Sequence, residues 1–155
     1  MAQGKQGARG GAARQGALAM KMLAFTLPVV PTAQARPRHT RHGHTYKSAG
    51  QIAAEQTLEA LLVPHIPENA LDGPLELCFM ACLPIPKSAG KKAREAMLGG
   101  ISGHTKKPDL DNLAKQLMDA MTRLRFWNDD RQITRLVAEK RYSDSPCWQI
   151  TLKAA

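Results

Sequence analysis

Apolar and polar positions along the chain follow two periods, and the switches between them mark the elements. Leu23-Ala24-Phe25-Thr26-Leu27 reads as a strand that Pro28 ends. Ser48 offers an N-cap for a helix over about 49–63, where Ile52, Leu58, Leu61, Leu62 and Val63 lean to helical spacing before Pro64 stops it. The nearly continuous apolar run 75–83 predicts a second strand, closed by Pro84 and Pro86. Ser88 is the expected cap of a helical turn or two reaching about Met97, with Gly99, Gly100 and Gly103 marking a mobile stretch beyond it. The strongest helix runs from about Leu110 to Leu124, because Leu110, Leu113, Leu117, Ala120, Met121 and Leu124 fall within about 120° of one another at 100° per residue. After the turn-like Trp127-Asn128-Asp129-Asp130, residues 132–141 alternate as a strand, and Ser143–Pro146 turns into a last strand over Cys147–Lys153. The order strand, helix, strand, helix, strand, strand predicts an α+β fold: a small mixed or antiparallel four-stranded sheet with two main helices, its last two strands forming an antiparallel hairpin.

Length and composition add limits. A chain of 155 residues fits one domain plus tails. Residues 1–21 hold Gly, Ala, Gln, Arg and Lys with no aromatic and no acid, so they predict a disordered basic extension ahead of a domain over 22–155. Met20 and Met22 are alternative translation starts just before the first strand. Pro31 to Lys47, rich in Pro, Arg and His, reads as a loop or arm. No apolar run approaches the roughly 20 residues that span a bilayer, so no membrane partner is expected. Cys78, Cys82 and Cys147 are odd in number and form no CxxC pair, which suits a reducing cytoplasm. Cys78 and Cys82, inside the apolar run, read as buried small hydrophobes.

Charge changes the picture more. The net charge of +9 makes a polyanion the expected partner. It divides into +8 before Glu55, +5 from Lys87 through Lys107, and −4 over the rest. Within that remainder five carboxylates form a group, Asp109, Asp111, Asp119, Asp129 and Asp130, the first two inside Lys106-Lys107-Pro108-Asp109-Leu110-Asp111-Asn112-Leu113-Ala114-Lys115. Pro108 places the helix start after it, with Asp109 near the N-cap and Asp111 in the first turn. Capping explains Asp109 well and Asp111 tolerably. Metal binding explains more, since a cap geometry lets both carboxylates converge on an ion beyond the helix end. Asp111 and Lys115 share one side of the helix, opposite the core stripe, which a surface salt bridge would also give. Adjacent Asp129 and Asp130 are better accounted for by a cation than by a turn alone. Hard oxygen ligands favour Mg²⁺, with Mn²⁺ as a substitute. Such carboxylates, a lysine and basic loops together suit a metal-dependent phosphodiesterase, in which Lys115 stabilises the transition state or holds the attacking water.

At these residues the chain resembles the RusA family of Holliday junction resolvases. The likeness rests on Lys107-Pro-Asp-Leu-Asp-Asn-Leu-Ala-Lys115, Met118-Asp-Ala-Met121 and Phe126-Trp-Asn-Asp-Asp-Arg-Gln132, with a weaker match at Thr26-Leu-Pro28 and the loop to Tyr46. It implies a small homodimeric Mg²⁺-dependent endonuclease, often encoded by phages or prophages, that cuts four-way DNA junctions by paired symmetric nicks in recombination and repair. Carried onto this sequence, the metal-binding acids are Asp109, Asp111 and Asp130, with Asp129 as a neighbour, and the essential lysine is Lys115.

The chain has three basic groups, of which the tail's Lys5, Arg9 and Arg14 read as incidental and the other two as the expected DNA contacts. One is Lys87, Lys91, Lys92, Arg94, Lys106 and Lys107; the other is Arg36, Arg38, Arg41 and Lys47 with His39, His42 and His44. The histidine spacing is also open to zinc, although no fourth ligand is near. Phe126 and Trp127 are expected to pack beneath the active-site loop, the other reading being a base-stacking platform. A nuclease for other branched DNA, such as flaps and forks, and a non-catalytic DNA-binding protein are competing readings, with a metal-dependent hydrolase of small phosphoesters a weaker one, since so much basic loop would be superfluous to it.

Overall fold

A computed structural model describes residues 22–34, 38–39, 41–42 and 45–155. The expected disorder over 1–21 lies outside these residues. Strand β1 (Leu23–Leu27) is followed by two short paired strands, β2 (Arg38–His39) and β3 (Thr45–Tyr46), so the expected arm carries a minimal ladder. Helix α1 (Ala49–Leu62) starts where predicted, with Ser48 Oγ accepting from the Gln51 amide at 3.3 Å. Strand β4 (Leu75–Pro84), helix α2 (Lys91–Leu98), helix α3 (Leu110–Arg123), a 3-10 turn (Asp130–Gln132), β5 (Ile133–Ser143) and β6 (Cys147–Ala154) complete the order. The fold is α+β, and among the described residues the two main helices, α1 and α3, are joined by the shorter α2 where a helical turn or two was expected. Gly90, not Ser88, holds the cap position of α2, and no side chain caps that helix.

The four long strands form a mixed sheet in the order β1-β6-β4-β5. β4 and β5 are parallel, and β6 runs antiparallel to both β1 and β4. The predicted β5–β6 hairpin is therefore wrong. β4 is buried along almost all its length and takes an interior place, with both edges paired. β6 buries Trp148, Ile150 and Leu152 and fills the gap beside it, while β5, carrying Arg135, Glu139, Lys140 and Arg141, is left at an edge, where charge blocks further pairing. Ser143 sits opposite Pro84 and Cys147 opposite Cys82, so the link passes over the end of β4. That crossing covers two strand spacings, about 10 Å, within reach of three linking residues. Ser143 Oγ closes the turn by accepting from the Ser145 amide at 3.1 Å, and Arg94 of α2 pairs with Asp144.

One face of the sheet meets α1 and α3. Leu75, Leu77, Phe79 and Ala81 pack there with Leu58, Leu62, Leu113, Leu117, Met121, Phe126, Trp127 and Trp148. The other face carries Glu76, Cys78, Met80 and Cys82 on β4. Cys82 is buried as predicted, but Cys78 is only half-buried, its thiol donating to Glu76 Oε1 at 3.2 Å. No described helix is long and apolar enough to cross a membrane.

Candidate active site

The rotation of α3 is set by its core stripe. Leu113, Leu117, Ala120 and Met121 are fully buried, so Asp111 and Lys115 are left exposed on the opposite side, as the periodicity predicts. Asp109 holds the cap position with an extended backbone (φ −74°, ψ 144°), yet its carboxylate accepts no capping hydrogen bond. The structural use of an acid at this place is thus not exercised. Asp111 lies in the first turn, where the helix end favours negative charge. Lys115 pairs with Asp119 at 3.8 Å rather than with Asp111.

Asp109 lines an open cleft of about 810 Å³ with Thr32, Gln34, Lys107 and Asn112. The Gln34 amide donates to the Asn112 carbonyl at 3.2 Å, joining the segment after β1 to the first turn of α3. Its side-chain oxygen is buried with no partner among the described residues. A second residue missed in the sequence is Lys140, whose ammonium donates to the carbonyls of Lys106 at 2.9 Å and Pro108 at 2.8 Å. It ties β5 to the segment leading into Asp109. The available signal was a lysine on the strand row shared with Ala138 and Tyr142, where an apolar residue is ordinary.

The Asp-Asp-Arg-Gln string divides into two jobs. Asp129 caps the 3-10 turn: its Oδ1 accepts from the Arg131 amide at 3.0 Å and its Oδ2 meets Arg131 Nε at 3.5 Å. Gln132 completes a capping box, accepting from the amides of Asn128 at 2.9 Å and Asp129 at 3.0 Å. Its amide nitrogen donates to the carbonyls of Leu71 and Gly73, each at 3.0 Å. The turn thus gives Asp129 a structural use of its own, beside the cation expected for the acid pair. Asp130 is exposed, and its carboxylate has no partner among the described residues.

Asp130 does not meet Asp109 within one chain. Lys140, which reaches Pro108, is opposite Ala81, whereas Ile133, which follows the turn, is opposite Leu75. The strand between them covers about 23 Å at 3.3 Å per residue. The length of α3, about 20 Å, gives the same scale. In keeping with this, no three His, Cys, Asp or Glu side chains among the described residues gather closely enough to hold a metal ion.

The basic groups are unequal. Arg36 lies outside the described residues, and only the backbone of Arg38 is described. Arg41, Lys87, Lys91, Lys92, Lys106 and Lys107 are exposed, with Lys107 on the cleft wall. Lys47 is engaged with Glu55 at 2.8 and 2.9 Å, and Arg94 with Asp144. Phe126 and Trp127 are both fully buried, and Trp127 Nε1 donates to Thr122 Oγ1 at 2.9 Å, so neither is a surface platform.

YqaN, an uncharacterized protein of Bacillus subtilis (strain 168), is 32% identical over 139 residues, covering 86% of this chain and 97% of that relative. A crossover junction endodeoxyribonuclease, rusA, of Lactococcus phage r1t is 58% identical over 36 residues, 23% of this chain and 28% of the phage protein. Residues 28–153 match the family described as Endodeoxyribonuclease RusA. With its domain matched from the end of β1 to the last strand, and the uncapped Asp109 and exposed Asp111 at the head of α3, the chain belongs to the RusA endodeoxyribonuclease family.

Proposed function

We propose that the protein is a divalent-metal-dependent endonuclease that resolves four-way DNA junctions by paired symmetric nicks, acting as a homodimer in recombination and repair. The observation that carries this reading is the pair Asp109 and Asp111, two exposed carboxylates at the head of α3 with no hydrogen-bond donor engaged among the described residues, Asp109 lining a cleft with Lys107. The donor set suits Mg²⁺ or Mn²⁺, but among the described residues of one chain no third acid gathers with these two closely enough to hold the ion. A second copy, arranged about a two-fold axis, brings its own Asp130 to the first copy's Asp109 and Asp111, and the reverse. A divalent cation held by these acids would supply a water acidic enough to attack near neutral pH and would offset charge on the leaving 3′ oxygen. Lys115 contributes a positive charge for the phosphorus centre in the transition state. Lys87, Lys91, Lys92, Lys106 and Lys107 hold flanking phosphates.

The test incubates the protein with a synthetic four-way junction, a linear duplex and a flap, with and without Mg²⁺. Paired, ligatable nicks confined to the junction are expected. Binding without cleavage in any divalent metal overturns the reading, and preferential cutting of the flap redirects it to other branched DNA. Asp111→Asn should still bind the junction while failing to cut it.

A further inference from the structure

A second, smaller cavity of about 250 Å³ adjoins the Asp109 cleft, and Pro31, Lys107 and Pro108 wall both. It lies between the end of β4, the turn after β1 and the segment His104–Pro108. Pro31, Pro84, Pro86 and Pro108 supply rigid ring walls, and the His104 ring lies 4.5 Å from that of Tyr142. The notable atom is His104 Nδ1, which is buried and has no hydrogen-bond partner among the described residues. A buried polar atom left unpaired calls for an explanation in what the site binds.

We propose that this cavity receives one unstacked nucleobase of the DNA strand whose phosphate lies in the Asp109 cleft, with His104 Nδ1 contacting the edge of the base. The assignment rests on the nuclease reading above and adds to it a subsite for the nucleotide beside the cut. Three features favour a base over other ligands. The walls are mostly apolar, four proline rings with Val30 and Leu83, which suits packing against the face of any base. Polar side-chain groups in the lining are few, those of His104, Tyr142, Lys106 and Lys107, as expected where an edge is read and a face is packed. Exposed Lys106 and Lys107 stand at the rim, where the flanking phosphates of the same strand would lie. Burial, and then the charge of Lys140, hold the His104 imidazole below its ordinary value of 6.5, so the ring presents a neutral donor or acceptor instead of one more phosphate-seeking cation.

The experiment is a cycle between the side chain and the base. Junctions carrying an abasic site at each nucleotide flanking the cut are compared with the intact junction, for the unaltered protein, His104→Ala and His104→Phe. In the unaltered protein, one abasic position should slow cutting about tenfold, within what one stacked base contributes. His104→Ala should cut the intact junction at that reduced rate and lose nothing further when the base is removed. His104→Phe, which keeps a ring against Tyr142, should retain sensitivity to the missing base while losing discrimination among bases at that position. In parallel, 2-aminopurine at the same position should brighten on binding without metal and brighten less with His104→Ala. Equal abasic losses in the unaltered protein and His104→Ala, or no abasic effect at all, overturn the base pocket. Absence of cutting of every branched DNA overturns the nuclease reading instead, and the metal-free fluorescence then decides the pocket by itself.

Discussion

Replacing Gln132 by alanine separates scaffold from chemistry in the Asp-Asp-Arg-Gln string. One side-chain amide accepts from the amides of Asn128 and Asp129 and donates to the carbonyls of Leu71 and Gly73, four bonds of 2.9 to 3.0 Å. At about 0.5–1.5 kcal/mol net for each, the upper bound is about 6 kcal/mol. Gln132 is only half-buried, so water takes over part of this, and a loss of about 2–3 kcal/mol is expected. For a chain of this size that lowers the melting temperature by about 5–10 °C. Urea unfolding followed by circular dichroism gives the free energy, and hydrogen exchange at the Asn128 and Asp129 amides should accelerate with it. Junction cutting per folded molecule should persist at low temperature, because Gln132 holds the turn and touches no substrate. A loss under about 0.5 kcal/mol would refute the hydrogen-bond account. Unaltered stability with abolished cutting would place Gln132 in the chemistry.

Other changes test other links. Lys140→Met removes two charge-assisted bonds to the carbonyls before Asp109; at half exposure this should cost about 1–2 kcal/mol in urea titrations. Cutting should fall about tenfold, as for other residues that orient ligands, with recovery in Lys140→Arg. Arg125 sits at φ 63° just past α3, its amide donating to the Thr122 carbonyl and that of Phe126 to the Met121 carbonyl, the hydrogen-bond pattern that favours glycine. Arg125→Gly should therefore stabilise by about 0.5–1 kcal/mol, seen as a higher melting temperature. The Glu76 carboxyl is held below its ordinary 4.5 by the Cys78 thiol, then by Lys153 and Arg135, against an opposing burial effect. Its folded value being depressed, the stabilisation is complete above 4.5 and is lost as pH falls through the folded value. Glu76→Gln should flatten the acid limb of urea midpoints measured between about pH 3 and 7.

Much of this was legible because it was written locally. The single apolar stripe of α3 fixes which side Asp111 and Lys115 face, and the apolar run of β4 fixes its interior place. Strand order was not local: a short Ser143–Pro146 turn predicts a hairpin, and only competition for the edges of β4 sends β6 past it. Asp129 and Asp130 look alike as neighbours, yet one oxygen of Asp129 is committed to a backbone amide that periodicity does not reveal. Spacing along the sequence also conceals that α3 and β5 carry Asp109 and Asp130 to opposite ends of the fold. Lys140, Gln34 and His104 act through contacts across elements, so each looked ordinary in the sequence.

Mixing two inactive variants tests the shared site most directly. Asp111→Asn and Asp130→Asn, each unable to cut alone, are combined and allowed to exchange subunits before addition of junction and Mg²⁺. If Asp130 of one copy serves Asp109 and Asp111 of the other, half of the dimers regain one intact site, and nicking should return to about a quarter of the unaltered level, as single rather than paired nicks. If the acids act within one chain, or Asp130 has no part in the site, the mixture should match the variants taken separately, and the two-copy site would be contradicted.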